Sequence, residues 1–304
     1  MSSKLISPPK LESGDTVVIL STARKISKEE ILPAIEIISS WGLKVVTSPH
    51  LFEIDHQFAG SDEIRVSDLN DAIFNPDVKA IFCARGGYGT SRILDNIDLS
   101  PLFQNPKWIV GFSDVTALHI HLLSFGFESV HGIMPISFLK PNIETSIETL
   151  RNVLFGGLIE YNIQPNVLNR LGTSNGLLLG GNLSLINHLI GTNSEPDWKD
   201  KILFIEDIDE YLYHLDRLMV QLKRSGVLKS ISGLVVGSFS DMKDNNVPFG
   251  KNAYEIIKSH VLDYNYPVCF GFPIGHENEN WAVISGRETN LLVSESGVTL
   301  SQKN

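Results

Sequence analysis

Short β-branched runs alternate with amphipathic stretches along the first half of the chain. Thr16–Leu20 (Thr-Val-Val-Ile-Leu) is an uninterrupted apolar run and predicts a buried strand. A helix is expected over Lys28–Ser40. Ser27, with Glu30 three residues on, has the form of a capping box, although Pro33 conflicts with a regular helix so near its start. Lys44–Thr47 predicts a second strand, residues 61–74 a helix, residues 79–83 a third strand and residues 108–112 a fourth. Apolar strands that do not alternate, joined by helices, point to a parallel sheet covered on both faces.

The pattern weakens after residue 140. Residues 141–165 hold Asn, Pro and a Gly-Gly pair without strong periodicity. A linker or crossover is expected over 151–175, between an N-terminal domain (1–150) and a C-terminal domain (176–304). In the second block residues 202–205, residues 234–237 and Val268–Phe270 are strand candidates. Residues 211–223 predict a helix, because Leu215, Leu218, Met219 and Leu222 fall on one face. The fold class is therefore α/β: an N-terminal domain with a mainly parallel sheet flanked by helices, and a smaller C-terminal domain, α/β or β-rich.

Composition narrows the function. Of 304 residues, 42% are hydrophobic and 20% charged, enough for a substantial core. A net charge of −10 and the lack of a dense basic block argue against nucleic-acid binding. The two cysteines, Cys83 and Cys269, lie in strand-like runs and read as small buried hydrophobes, which fits a reducing compartment. The N-terminal segment Met-Ser-Ser-Lys-Leu-Ile-Ser-Pro-Pro-Lys lacks an apolar signal core. No run approaches the roughly 18 apolar residues of a membrane span. The expected location is the cytoplasm, with no membrane partner.

Candidate chemistry sits after strands. Gly111-Phe112-Ser113-Asp114-Val115-Thr116 carries a serine between a buried strand and a helix with Val115, Leu118 and Leu122 on one face. A serine there lies beside the free amides and positive end of the helix, which suits an alkoxide and an oxyanion. The match to a Gly-x-Ser-x-Gly elbow is partial, since Val115 replaces the second glycine. On local pattern alone a helix cap by Ser113 or Asp114 is the plainer reading. Arg85-Gly86-Gly87-Tyr88-Gly89 follows the third strand, ahead of a helical stretch at 91–94. Its glycines allow a close backbone approach to a ligand, or an ordinary βα turn, and their spacing is neither a P-loop nor a dinucleotide fingerprint. Glu206 and Asp207 directly follow an apolar strand, where either a site carboxylate or a solvated cap fits. His276 stands on a Gly- and Pro-rich turn after the last strand of the block and suits a general base. His119, His121 and His188 read as packing or surface residues in helices. Serine, acid and histidine occur in one of the known chain orders of a serine triad.

With these motifs the chain resembles the LD-carboxypeptidases, serine peptidases of cell-wall peptides, and their microcin-immunity relatives. The resemblance covers almost the whole chain. It rests on Arg85-Gly-Gly-Tyr-Gly89, Gly111-Phe-Ser-Asp-Val-Thr116, Gly180-Gly-Asn-Leu-Ser184, Ile205-Glu-Asp207, Leu215-Asp-Arg-Leu218 and Pro273-Ile-Gly-His276. It implies a triad of Ser113, Glu206 and His276, an oxyanion hole from the amides of Gly87 and Asp114, and substrate contacts at Tyr88, Asn182 and Arg217. It also implies a site between two domains, a homodimer, and hydrolysis of the bond to a terminal D-Ala of a murein tetrapeptide in wall recycling. The alternative is hydrolysis of a peptidyl or aminoacyl nucleotide, which needs an aromatic stacking surface such as Trp198 or Trp281. One departure is visible: Ser21-Thr22-Ala23-Arg24 replaces an Ala-Pro-Ser-like turn of the family. No cofactor is implied, and the chain lacks a His-Glu-x-x-His or clustered cysteines that would supply a metal site.

Overall fold

The strand and helix signals of the first half are realised in order in a computed structural model that describes residues 5–303. The first four residues of the N-terminal segment read for a signal core lie outside the described residues. The first half runs β1 (Thr16–Leu20), α1 (Lys28–Ser40), β2 (Lys44–Thr47), α2 (Asp62–Phe74), β3 (Val78–Cys83), β4 (Trp108–Gly111), α3 (Thr116–Ser124) and β5 (Ser129–His131). Ser27 caps α1 in a full capping box, and the helix runs on through Pro33. Short 3-10 turns at Thr90–Arg92 and Leu94–Asn96 stand where a helical stretch was expected.

Strands β2, β1, β3, β4 and β5 are parallel neighbours in that spatial order. The order reverses between β1 and β3, so the carboxyl ends of those strands open a crevice, as in doubly wound sheets generally. A sixth strand, β11 (Val283–Ser285), comes from the far end of the chain and pairs antiparallel with β5.

The second half is α4 (Glu144–Leu154), β6 (Ile159–Ile163), β7 (Gly172–Asn182), α5 (Leu183–Leu189), β8 (Ile202–Ile208), α6 (Leu212–Arg224), α7 (Val227–Ser230) and β9 (Gly233–Ser240). Then follow α8 (Ala253–Val261), β10 (Val268–Phe270), β11, β12 (Glu288–Ser294) and β13 (Gly297–Gln302). Seven strands form one mixed sheet in the order β10-β9-β8-β7-β12-β13-β6. From β7 to β10 it is parallel. From β7 through β12 and β13 to β6 it is antiparallel. The second sheet thus has seven strands to the first sheet's six.

The segment 151–175 is not a bare connection. It holds the end of α4, all of β6 and the first residues of β7. Nor do the halves pack separately. One buried cluster joins Val18, Leu20 and Ile81 to Leu118, Leu183, Leu203 and Leu215. Another joins Ile19, Phe82 and Trp108 to Leu178, Phe204 and Ile284. Cys83 and Cys269 are free and buried among them, and burial pushes both thiols up to about 12. No helix of the described residues is long and apolar enough to cross a membrane.

Candidate active site

Carboxyl ends of parallel strands from both sheets face one another, and the sequence motifs lie on them. Strand β4 ends at Gly111. Two residues later Ser113 opens a 3-10 turn, Ser113–Val115, that feeds α3. Its φ is 63°, a left-handed conformation that a non-glycine residue adopts only under constraint. Neither Ser113 nor Asp114 caps the helix: no side chain accepts from the first amides of the turn or of α3. Instead Ser113 Oγ points at His276 Nε2, 2.9 Å away. The capping alternative therefore does not describe this turn.

His276 is presented by the turn that follows β10. Gly275, at φ 130°, is required there, because a Cβ would come within 2.3 Å of Ser238 Oγ and 3.0 Å of Glu206 Cβ. The His276 amide donates to Ser238 Oγ at 3.1 Å, and its ring rests against Phe112, 4.9 Å between centroids. Asn280 Oδ1 accepts from the Gly275 amide at 3.1 Å and fixes the same turn.

Glu206 is on β8 itself, fully buried, and its Oε2 lies 2.6 Å from His276 Nδ1. A carboxylate can only accept, so Nδ1 carries the proton and Nε2 of the neutral ring is left to accept from the Ser113 hydroxyl. Burial pulls the His276 pKa down. The charge and hydrogen bond of Glu206, with the charge of Asp207, outweigh that and hold the ring above its ordinary value. The β8–β9 register shifts between Ile205 and Asp207. This irregularity lets two successive carboxylates both be buried: Glu206 reaches His276, and Asp207 reaches the start of α5.

Residues 17–132 match the description "LD-carboxypeptidase N-terminal domain", and residues 175–291 match "LD-carboxypeptidase C-terminal domain". The chain belongs to the LD-carboxypeptidase family. It is a serine-type carboxypeptidase, a hydrolase. A Bacillus subtilis (strain 168) protein described as "Probable murein peptide carboxypeptidase" is 32% identical over 305 residues, with 95% of this chain and 92% of that one covered. The murein tetrapeptide carboxypeptidase of Pseudomonas aeruginosa is 26% identical, over 90% of this chain and 92% of its own. The structure of muramoyltetrapeptide carboxypeptidase from Oxalobacter formigenes superposes with a TM-score of 0.88 at 28% identity, covering 95% of this chain and 99% of that one. Microcin C7 self immunity protein MccF, in complex with aspartyl sulfamoyl adenosine, gives a TM-score of 0.86 at 22% identity, over 97% and 98% of the two chains. At that identity the likeness is one of fold.

In this LD-carboxypeptidase the glycine turn after β3 abuts the serine. A Cβ on Gly86 would lie 3.1 Å from Ser113 Oγ and 3.3 Å from the Asp114 nitrogen, so a larger residue would crowd the hydroxyl. Gly87 is the next residue. The Asp114 amide opens a helical turn, where an amide has no partner within the helix. The Asp114 side chain ties the two turns together: Oδ2 accepts from the Thr90 amide at 2.8 Å, and burial raises its pKa. Buried Arg65 donates to the carbonyls of Thr22 (2.6 Å) and Gly89 (3.0 Å), bracing the glycine turn against the turn after β1.

The carboxypeptidase's three expected substrate contacts fare differently. Tyr88 is half exposed on the glycine turn, its ring 6.0 Å from Phe58. Asn182 is buried and already engaged. Its Oδ1 caps α5 at the Leu185 amide, its Nδ2 donates to Asp207 at 2.7 Å, and its own amide donates to Thr116 Oγ1 at 3.0 Å. That last bond stitches the second sheet to the serine-bearing helix. Arg217 is exposed on α6, its guanidinium 5.6 Å from the Tyr213 ring, and that contact is with neither Ser113, Glu206 nor His276. Ser238, Asn280 and Lys140 are not singled out by the sequence, whereas Asp207 is, beside Glu206. Asp207 adjoins Glu206, and burial, then the charge of Glu206, pushes its carboxyl up to about 6. Ser238 and Asn280 carry no local signal, because each acts through a fold contact with the His276 turn. Of the histidines expected in helices, His119 and His121 are buried and His188 is exposed. Among the described residues no group of three or more His, Cys, Asp or Glu is placed to hold a metal ion.

Proposed function

We propose that the protein hydrolyses the L,D-peptide bond to the terminal D-Ala of a murein tetrapeptide, with Ser113 as nucleophile, His276 as base and Glu206 as its orienting carboxylate. The observation that carries this reading is the continuous chain Ser113 Oγ–His276 Nε2 (2.9 Å) and His276 Nδ1–Glu206 Oε2 (2.6 Å). Serine is a poor nucleophile until a base takes its proton, and His276 is within reach to do so. The imidazolium formed on attack is stabilised by the buried Glu206 charge. The oxyanion is received by the amides of Gly87 and Asp114, each worth about 3–4 kcal/mol at the transition state. His276 then protonates the leaving D-Ala nitrogen, and water releases the acyl-enzyme by the same path in reverse.

The substrate class is carried by the names of the full-length relatives in Bacillus subtilis, Pseudomonas aeruginosa and Oxalobacter formigenes. In this reading the peptide comes from wall recycling, and the enzyme works in the cytoplasm as a homodimer, as the family resemblance implies. A nucleotide substrate is less well supported. Trp198 is buried with its indole nitrogen bonded to Glu195 at 2.8 Å, and Trp281 packs between Tyr161 and Phe272. None of these contacts involves Ser113, Glu206 or His276. The test is to incubate the purified protein with L-Ala-D-Glu-diaminopimelate-D-Ala and with its L-Ala-terminated epimer. Release of alanine from the first only is expected. Equal release from both, or from neither, overturns the reading.

A further inference from the structure

A carboxypeptidase must find the chain end, and the mechanism limits where that end can lie. The leaving nitrogen must sit about 3 Å from His276 Nε2 to take its proton. The terminal carboxyl carbon is two bonds from that nitrogen, roughly 2.5 Å away. The carboxylate is therefore confined to the His276 side of the site, within about 6 Å of the ring.

Lys140 is a cation beside the His276 turn. It lies in the connection before α4, is exposed, and its Nζ is 3.4 Å from the His276 carbonyl oxygen. Its charge bears on the imidazole itself, where it opposes protonation. Among the described residues Lys140 forms no ion pair with a carboxylate, so its charge is available to a ligand. Two other cations lie at or beside the glycine turn. Arg24 packs its stem against Gly87, and Arg85 donates to the Lys25 carbonyl at 3.2 Å.

We propose that Lys140 anchors the substrate's terminal carboxylate and so makes the site selective for a free chain end. This rests on Ser113, Glu206 and His276 acting as proposed above. An ammonium on a flexible stem suits this role, because it gives a compact charge without demanding one orientation of the carboxylate. The contact forms with the leaving residue alone, so its loss separates substrates by their end group.

The test compares two tetrapeptides, one ending in D-Ala and one in D-alaninamide, on the wild type, Lys140→Met and Lys140→Arg. The wild type should prefer the free acid in kcat/KM. Lys140→Met should shrink the acid-to-amide ratio about 10- to 100-fold, as expected for a charge-assisted hydrogen bond, chiefly through KM for the acid. Lys140→Arg should keep most of the preference. A merely structural role would lower both substrates together and leave the ratio alone. An unchanged ratio in a folded Lys140→Met overturns the assignment, as does a wild type that cleaves acid and amide equally. In both cases D-Ala release by the wild type leaves the proposed function standing. A wild type that releases neither D-Ala from the one tetrapeptide nor D-alaninamide from the other removes both.

Discussion

At the scale of single residues, Ser113 holds two unusual properties at once: a left-handed backbone and a hydroxyl aimed at an imidazole. Its own neighbourhood in the sequence favours a helix cap. What distinguishes it is distant, a histidine 163 residues later in the chain and a carboxylate behind that histidine. The departure from the usual serine elbow has a local explanation. Val115 occupies the place of the second glycine, and the room it needs comes from Gly111, where a Cβ would lie 2.8 Å from Val115 Cγ1. The order of serine, acid and base along the chain was legible because Ser113 and His276 follow strands and Glu206 directly follows the apolar run 202–205, although it is itself the fifth residue of β8. The substrate contacts were not. Asn182 and Arg217 stand in motifs, and a motif does not say whether a side chain faces the ligand or the scaffold. The raised pKa of His276 gives a pH prediction. The base must be neutral, so kcat/KM should fall with decreasing pH through a limb centred above the ordinary imidazole value of about 6.5. Glu206→Gln removes the charge, and its amide can present a donor to Nδ1, which favours the wrong tautomer of the ring. It should cost on the order of 10⁴ in kcat and move the limb to lower pH. A pH–rate profile of the folded variant with its limb unmoved speaks against the role of Glu206.

At the scale of elements, the site depends on how helix starts are tied to strand ends. Asn182 ends β7, caps α5 and holds Asp207 and Thr116 together. Asn182→Ala should therefore destabilise the fold by about 1–3 kcal/mol, from the lost cap and the buried Asp207 carboxylate left short of a donor. Urea denaturation measures this, and a loss of activity without a loss of stability would instead mark Asn182 as a substrate ligand. The strands of the parallel sheets were legible as apolar runs. Strand β6 was not, although Ile159, Glu160, Tyr161, Asn162 and Ile163 alternate in character. It is antiparallel and half exposed, so it lacks the continuous apolar run that marks the others. The first half of β7 is equally quiet, because Gly172 and Gly176 have low strand preference.

At the scale of the whole molecule, the two-domain reading captures the motifs but not the stitching. Family descriptions match 17–132 and 175–291, yet β11 crosses back to complete the first sheet. Three residues are too few to announce a strand by pattern. Each buried cluster also draws on both halves of the chain. Unfolding should accordingly be one cooperative event, with intrinsic fluorescence and far-UV circular dichroism giving coincident transitions. Two resolved transitions would mean that the halves are stable apart. A shared core also serves the chemistry, since Ser113 comes from one sheet and Glu206 from the other, and the bonds among Ser113, His276 and Glu206 form only while the sheets stay docked.

The measurement that bears most directly on the proposed chemistry is D-Ala release from the murein tetrapeptide by Ser113→Ala beside the wild type. The variant should fold as the wild type does and lose on the order of 10⁴-fold or more in kcat, as expected when a triad serine is removed. A folded Ser113→Ala that turns over within about tenfold of the wild type would contradict the assignment of Ser113 as the nucleophile.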